Sequence, residues 1–220
     1  MKKEVIIMVI IGAIIVGAGI LLSLGDHSSP QGSSGFNPKP AAHPALIEKN
    51  SHMTGSPNAK VQLVEFGDYE CPACGAAYPI VKQILNNYKN NPNFNFVFRN
   101  FPLYTIHPNA LISAEAAEAA GAQGKFWQMH DKLYETQNNW GNSPNPLPAF
   151  ESYAQSLGLD AAKFTSDVQN KKYQSVLEQD EDDGLGFGVD ETPTFFLNGK
   201  KEAGVVSYAD LNSQISALLK

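Results

Sequence analysis

VQLVEFGDYECPACGAAYPI, residues 61–80, leads from an apolar run into a helical pattern and contains both cysteines of the chain. The run VQLVEF (61–66) predicts a buried strand. Pro72 suits the first turn of a helix, and apolar residues at helical spacing follow it. Cys71 is therefore expected at a helix N-terminus, where unpaired N–H groups favour a thiolate over a thiol. Cys74 lies one turn further along.

The two cysteines could bind a metal ion, form a structural disulfide or act as a redox pair. Structural zinc needs four ligands, and C-x-x-C supplies two. His107 and His130 lack metal-ligand spacing; we interpret His107 as a cap or packing residue and His130 as a hydrogen-bonded core or rim residue. A crosslink over so short a loop adds little stability. We predict a redox pair without metal or cofactor, in which Cys71 is the nucleophile and Cys74 resolves a mixed disulfide.

The rest of the folded part alternates strands and helices. FNFVFRNFP (94–102) predicts a second strand, and residues from about 105 to 187 predict several helices. TPTFFLNGK (192–200) predicts a strand and an Asn-Gly hairpin turn, and Ser207 would cap a final helix. Such an order favours an α/β domain. The acidic run EQDEDDG (178–184) is interpreted as a solvated helix face.

The N-terminal residues 1–24 predict a membrane anchor, with an apolar run at 5–24 that is long enough to span a bilayer. Two lysines precede the run, which predicts a cytoplasmic N-terminus and an extracytoplasmic catalytic domain. Residues 25–55 are rich in Ser, Gly, Pro and Asn and predict a flexible linker. The folded domain is expected at 56–220. Disulfides persist outside the cytoplasm, in agreement with the predicted location.

VEFGDYECPACGAAYP, joined to the downstream TPTFFLNGK, resembles the active site of the thioredoxin superfamily. CPAC followed by a long helical insertion resembles the DsbA-like branch, and HPNA and FWQMHDKLYE resemble segments of that insertion. The resemblance covers residues 56–220. The expected architecture is a thioredoxin-like α/β fold with a helical insertion at about 105–187, preceded by a single N-terminal transmembrane helix.

The resemblance implies further site residues. Thr192-Pro193 would form a cis peptide beside the cysteines, and the backbone at Thr192 would pair with an extended substrate segment. Glu65 is similar to the buried acidic residue of the superfamily and would assist proton transfer at Cys74. An acid within LVEF is expensive to bury without a purpose, which agrees with that role.

The dipeptide between the cysteines, Pro72-Ala73, is expected to contact substrate and to help set the reduction potential. The strongest oxidants of the family carry a histidine where this chain has Ala73. Asp68 and Glu70 are expected to raise the pKa of Cys71 by their negative charge. On both grounds we expect a less oxidising protein than those strongest members.

The resemblance implies a thiol:disulfide oxidoreductase, and we expect a disulfide donor to secreted or membrane proteins. A protein-disulfide reductase is one alternative, and a thioredoxin-fold copper chaperone is the alternative of another class, because soft thiolates suit Cu(I). The expected partners are client proteins and a membrane redox protein that resets the cysteine pair. A net charge of -6 without a basic patch argues against nucleic acid. We expect a monomer.

Overall fold

The computed structural model describes residues 35–42 and 45–220, in which five strands and eight helices are found. The strands are β1 (His52–Gly55), β2 (Val61–Gly67), β3 (Phe94–Asn100), β4 (Thr194–Leu197) and β5 (Lys200–Ala203). The helices are α1 (Pro72–Tyr88), α2 (Ala110–Gly121), α3 (Phe126–Glu135), α4 (Gln137–Trp140), α5 (Leu147–Ser156), α6 (Ala161–Gln169), α7 (Gln174–Gly186) and α8 (Tyr208–Leu219). From β2 onward the element order is the predicted one, and α2 to α7 form the predicted helical insertion.

The five strands form one sheet in the order β1-β3-β2-β4-β5. Strands β2 and β3 are parallel and are joined by α1, whereas β1, β4 and β5 each pair antiparallel with their neighbours. The β4–β5 hairpin turns at Asn198 and Gly199, which have φ values of 47° and 84°. Positive φ at both positions is what a tight hairpin turn requires. The α/β fold and the hairpin are therefore confirmed.

The folded part begins earlier than the sequence predicts. Strand β1 lies inside the predicted linker 25–55 and pairs with β3, with Thr54 opposite Phe96. Phe36 is also buried. The HMTG segment has no apolar alternation to mark a strand, so its pairing depends on the free edge of β3.

The predicted membrane anchor (1–24, with its span at 5–24) lies outside the described residues. So do residues 25–34 of the predicted linker. Among residues 35–42 and 45–220, the helices are all too short or too polar to cross a bilayer.

The two faces of the sheet carry different cores. Because side chains alternate along a strand, Leu63 and Glu65 of β2 point to one face, and Val64 and Phe66 point to the other. Leu63 belongs to the larger core, which also contains residues of α1 and of the helical insertion. Val64 and Phe66 belong to a smaller core that includes Val189. Glu65 therefore lies on the face that is covered by α1.

The acidic run is largely buried, so the predicted solvated helix face is wrong. Asp180, Glu181 and Asp183 of α7 are each less than a tenth exposed. The fully buried Arg99 of β3 donates from Nε to Asp180 Oδ1 at 2.5 Å and from Nη2 to Asp183 Oδ2 at 2.7 Å. A buried cation on the neighbouring strand thus compensates two of the carboxylates. Sequence alone gave no indication of this pairing, because the partners are about 80 residues apart.

Candidate active site

Cys71 and Cys74 occupy the first turn of α1, as predicted. Cys71 is the N-cap residue, with extended backbone angles (φ -63°, ψ 121°), and Cys74 follows inside the helix. Both are free thiols. Cys71 retains 6% of its surface exposed, whereas Cys74 is completely enclosed. An external sulfur can therefore reach Cys71 more easily than Cys74.

The surroundings of Cys71 favour its thiolate. Its pKa is lowered from 9.0 to about 5, and the largest cause is the hydrogen bond from the Cys74 thiol. The backbone N–H groups of Cys74 and Ala73 lower it further, against the opposing effect of burial. These N–H groups belong to the helix N-terminus, where partial positive charge stabilises an anion. The local sequence thus positions a reactive thiolate, as its motif predicts.

Cys74 and Glu65 form the buried side of the site. Burial raises the pKa of the Cys74 thiol well above 9.0, and the negative charges of Cys71 and Glu65 raise it further. The backbone N–H of Asp68 lies 3.5 Å from Cys74 Sγ. Glu65 is 2% exposed, and burial raises its pKa to about 8. At neutral pH Glu65 is therefore protonated. It lies close enough to Cys74 for its charge, once ionised, to raise the pKa of that thiol.

Asp68 and Glu70 do not act on Cys71 as expected, and the predicted rise of the Cys71 pKa is wrong. Asp68 Oδ2 lies 2.6 Å from Nδ1 of His107, and its Oδ1 accepts the N–H of Glu70 at 2.8 Å. Glu70 Oε2 accepts the N–H of Asn109 at 2.5 Å. Both carboxylates are thus engaged by donors other than the thiol, and hydrogen bonds to Cys71 itself dominate its pKa.

His107 is a site residue that sequence reasoning did not identify. Its ring is partly buried, and the hydrogen bond with Asp68 is the largest cause of its raised pKa. The negative charge of a Cys71 thiolate raises that pKa further, which places the imidazole within electrostatic range of the nucleophile. The motif HPNA marked a segment of the insertion, but nothing in the sequence showed that it contacts the DYEC loop.

Gln137 is a second residue that sequence reasoning missed. It begins α4, in the helical insertion, and its Nε2 donates to the carbonyl oxygens of Tyr69 and Cys71, both at 2.8 Å. It lies 66 residues after Cys71, in a polar stretch without any chemical motif. Only the tertiary structure brings this amide to the cysteine loop.

The residues expected to bind substrate assemble around Cys71. Pro72 is exposed and Ala73 is partly exposed, next to the thiol. Thr192-Pro193 is a cis peptide, and the Cys71 thiol donates to the carbonyl oxygen of Thr192 at 3.3 Å. The two distant segments are thus adjacent in space, as the resemblance implies. Their contact with substrate stays a prediction.

His130 is a core residue, as predicted. It is 3% exposed, its Nδ1 lies 3.1 Å from the Tyr69 hydroxyl, and burial lowers its pKa to about 3. It is therefore neutral at physiological pH. Within the part of the chain that the structure describes, no three His, Cys, Asp or Glu side chains are grouped closely enough to hold a metal ion.

Comparison with known proteins agrees with this geometry. A family model described as thioredoxin matches residues 48–217. The chain belongs to the thioredoxin family. A solved thioredoxin-like oxidoreductase from Silicibacter pomeroyi DSS-3 is 25% identical, with a TM-score of 0.65 over 78% of this chain and 94% of that one. Alpha-DsbA1 from Wolbachia pipientis is 19% identical, with a TM-score of 0.70 over 79% of this chain and 92% of that one, and shows a shared fold. The chain therefore combines a thioredoxin-family sequence, the fold of alpha-DsbA1 and a pair of free thiols at the start of α1.

A curated relative matches only in part of its length. Na(+)/H(+) antiporter NhaA 1 from Salinispora arenicola is 37% identical over 166 residues, which are 76% of this chain but 24% of that protein. The chain thus spans about a quarter of the curated relative that it matches.

Proposed function

We propose that this protein donates a disulfide to client proteins outside the cytoplasm. The observation that carries the proposal is the unequal pair of thiols: Cys71 has a pKa lowered to about 5, whereas burial raises that of Cys74. A stabilised thiolate favours the reduced form of the pair over its disulfide. A protein with that preference gives its disulfide away.

The reaction follows from the accessibility of the two sulfurs. A client thiolate attacks Cys71 Sγ of the Cys71–Cys74 disulfide, the sulfur–sulfur bond breaks, and Cys74 leaves as a thiolate. Cys74 then takes up a proton, for which the protonated Glu65 is the proposed donor. A second client thiolate attacks the client sulfur of the mixed disulfide and releases the Cys71 thiolate. The client is oxidised by two electrons and the protein pair is reduced by two.

Two exposed apolar residues support the proposal that the substrates are proteins. Ile106 is 68% exposed and precedes His107, which contacts the loop before the nucleophile. Val205 is 49% exposed and follows Gly204, whose N–H donates to the carbonyl of Pro193 at 2.8 Å. Both exposed side chains thus follow or precede a residue that contacts a segment of the site, and they could contact an apolar part of an unfolded client. An extended segment would lie between them, beside the carbonyl of Thr192.

The location and the partners are part of the same proposal. The apolar run 5–24 would anchor the protein in the membrane, with the domain outside and a membrane redox protein to reoxidise the pair. A match to a protein named as an antiporter is compatible with a place at the membrane, but antiporter activity is not proposed, because the match spans about a quarter of that protein. The protein would act as a monomer, which size-exclusion chromatography tests.

The first test is the reduction potential of the full chain, equilibrated with glutathione buffers. A value that approaches the ~-120 mV of DsbA supports a disulfide donor, whereas a value near the ~-270 mV of thioredoxin indicates a reductase. A Cys74→Ala variant whose Cys71 has first formed a mixed disulfide with glutathione should exchange with reduced clients, release glutathione and accumulate mixed disulfides with the clients, and Cys71→Ala, the matched control, should not. The proposal would be contradicted if Cys71 and Cys74 showed no reversible redox couple and the purified protein contained copper. That result would favour a copper chaperone.

A further inference from the structure

The amide of Gln137 joins the helical insertion to the cysteine loop at two points. Its Nε2 donates to Tyr69 O and to Cys71 O, each at 2.8 Å. Both partners are carbonyl oxygens, which only accept, so both hydrogens of one NH2 group are used. Cys71 O also accepts the first hydrogen bond of α1, from the N–H of Gly75 at 3.1 Å. The same carbonyl therefore belongs to the helix start and to the contact with the insertion.

We propose that Gln137 is a positioning residue that holds the turn from Tyr69 to Cys71 so that the Cys71 sulfur faces the N-terminus of α1. The inference rests on the proposed function, in which Cys71 is the nucleophile. Cys71 has no side-chain capping bond of its own, so the direction of its Cα–Cβ bond depends on how its backbone is held. The two bonds of Gln137 fix the carbonyls on either side of Glu70 and thereby restrict that backbone.

Gly75 leaves the space that this contact needs. A Cβ at position 75 would lie 2.4 Å from Gln137 Oε1 and 3.0 Å from its Cδ, far inside van der Waals contact. A side chain at Gly75 would therefore displace the amide from the two carbonyls. The glycine that follows CPAC and the glutamine of α4 are thus parts of one arrangement, although 62 positions separate them in the sequence.

Loss of the contact should affect the thiolate more than the fold. When the turn relaxes, the Cys71 sulfur moves away from the backbone N–H groups that stabilise its anion, while the core around α1 remains. We expect Gln137→Met to raise the Cys71 pKa by about 0.5–1 unit, because part of the stabilisation of the anion by these N–H groups is lost. The equilibrium constant with glutathione should shift toward the disulfide by up to about tenfold, which corresponds to about 30 mV.

The test compares four single variants of the full chain by thiolate absorbance as a function of pH, with circular dichroism to confirm folding. Gln137→Met removes the donors at similar length, and Gln137→Glu keeps the shape but places a carboxylate against two carbonyls. Gly75→Ala displaces the amide. Gln128→Ala, at an exposed glutamine of α3, is the matched control. We expect a raised Cys71 pKa in the first three variants, largest in Gln137→Glu, and no change in the control.

A double variant distinguishes loss of the specific Gln137 contact from a general loosening of the structure around Cys71. Gly75→Ala combined with Gln137→Met should raise the pKa no more than the larger single effect, because both remove the same contact. A wild-type pKa in either folded Gln137 variant, or additive effects in the double variant, would overturn the inference. Thiolate absorbance needs no client and no redox partner. If the Gln137 variants keep the wild-type pKa while the wild-type protein shows a reversible redox couple, only this inference fails. If the wild-type protein shows no reversible couple, the proposed function fails instead.

Discussion

The buried carboxyl of Glu65 should make the stability of the protein depend on pH in a way that Glu65→Gln removes. In the folded chain its pKa is about 8, against 4.5 for an ordinary glutamate, because burial disfavours the charged form. Well below pH 4.5 the carboxyl is protonated in both the folded and the unfolded chain, so its burial lowers the free energy of unfolding least. As the pH rises from 4.5 toward 8, the unfolded chain ionises while the folded chain keeps its proton, so stability is lost.

The size of this loss follows from the two pKa values. At 1.36 kcal/mol per pH unit, the difference between 4.5 and about 8 corresponds to about 5 kcal/mol between pH values well below 4.5 and well above 8. Glutamine has nearly the same shape and does not ionise. Glu65→Gln should therefore gain about 4 kcal/mol of this relative to wild type when the pH is raised from 4.5 to 8.5, because both end points lie within the titration ranges.

Urea unfolding of the reduced protein gives the free energy of unfolding of the variant and of wild type at both pH values. The gain is the change in their difference, in which the contributions of other titrating groups cancel. Glu48→Gln, at an exposed glutamate, is the control and should show almost no pH-dependent difference. If the Glu65→Gln difference in unfolding free energy is the same at pH 4.5 and at pH 8.5, the carboxyl is not held neutral in the folded state. The assignment of Glu65 as a proton donor would then be refuted.

Three further predictions test separate parts of the structure. Cys74→Ala should raise the Cys71 pKa from about 5 toward 9.0, because the largest stabilising hydrogen bond is lost; thiolate absorbance measures it, and Cys74→Ser, which keeps a donor, should raise it less. Arg99→Leu should lower the free energy of unfolding by about 3–5 kcal/mol, because it leaves buried carboxylates unpaired; a loss below 1 kcal/mol in urea would contradict this. Gly55→Ala should cost about 2 kcal/mol, because φ is 85° and a Cβ would lie 2.4 Å from Phe94 O; an unchanged midpoint would mean that β1 does not contribute to the fold.

Those parts of the fold that depend on short-range patterns were predictable from the sequence. The apolar run at 61–66, the proline at the helix start and the Asn198-Gly199 turn each specify local backbone geometry, and each element lies where it was expected. The cysteine pair follows from the same logic, because a strand–helix junction defines a helix N-terminus. The family resemblance supplied the long-range contact between Cys71 and Thr192.

Features that depend on distant partners were not predictable. The HMTG strand is defined by the edge of β3 rather than by its own residues, and the acidic run is buried because Arg99 faces it. The same holds at the site. His107 and Gln137 reach the cysteine loop through the helical insertion, and neither belongs to a spacing pattern that marks chemistry. The effect of Asp68 and Glu70 was predicted wrongly because His107, which contacts Asp68, and the N–H of Asn109, which donates to Glu70, are remote in sequence.

The thiolate of Cys71 also determines how the reduction potential should change with pH. Relative to an ordinary thiol of pKa 9.0, a pKa of about 5 stabilises the reduced form about 100-fold at pH 7, which corresponds to about 60 mV. Reduction of the disulfide takes up two protons below pH 5 but only one above it, because Cys71 then remains ionised and Cys74 does not. The potential should therefore fall by about 59 mV per pH unit below pH 5 and by about 30 mV above it. A slope that stays near 59 mV up to pH 8 would mean that Cys71 is an ordinary thiol, and the argument for a disulfide donor would fail with it.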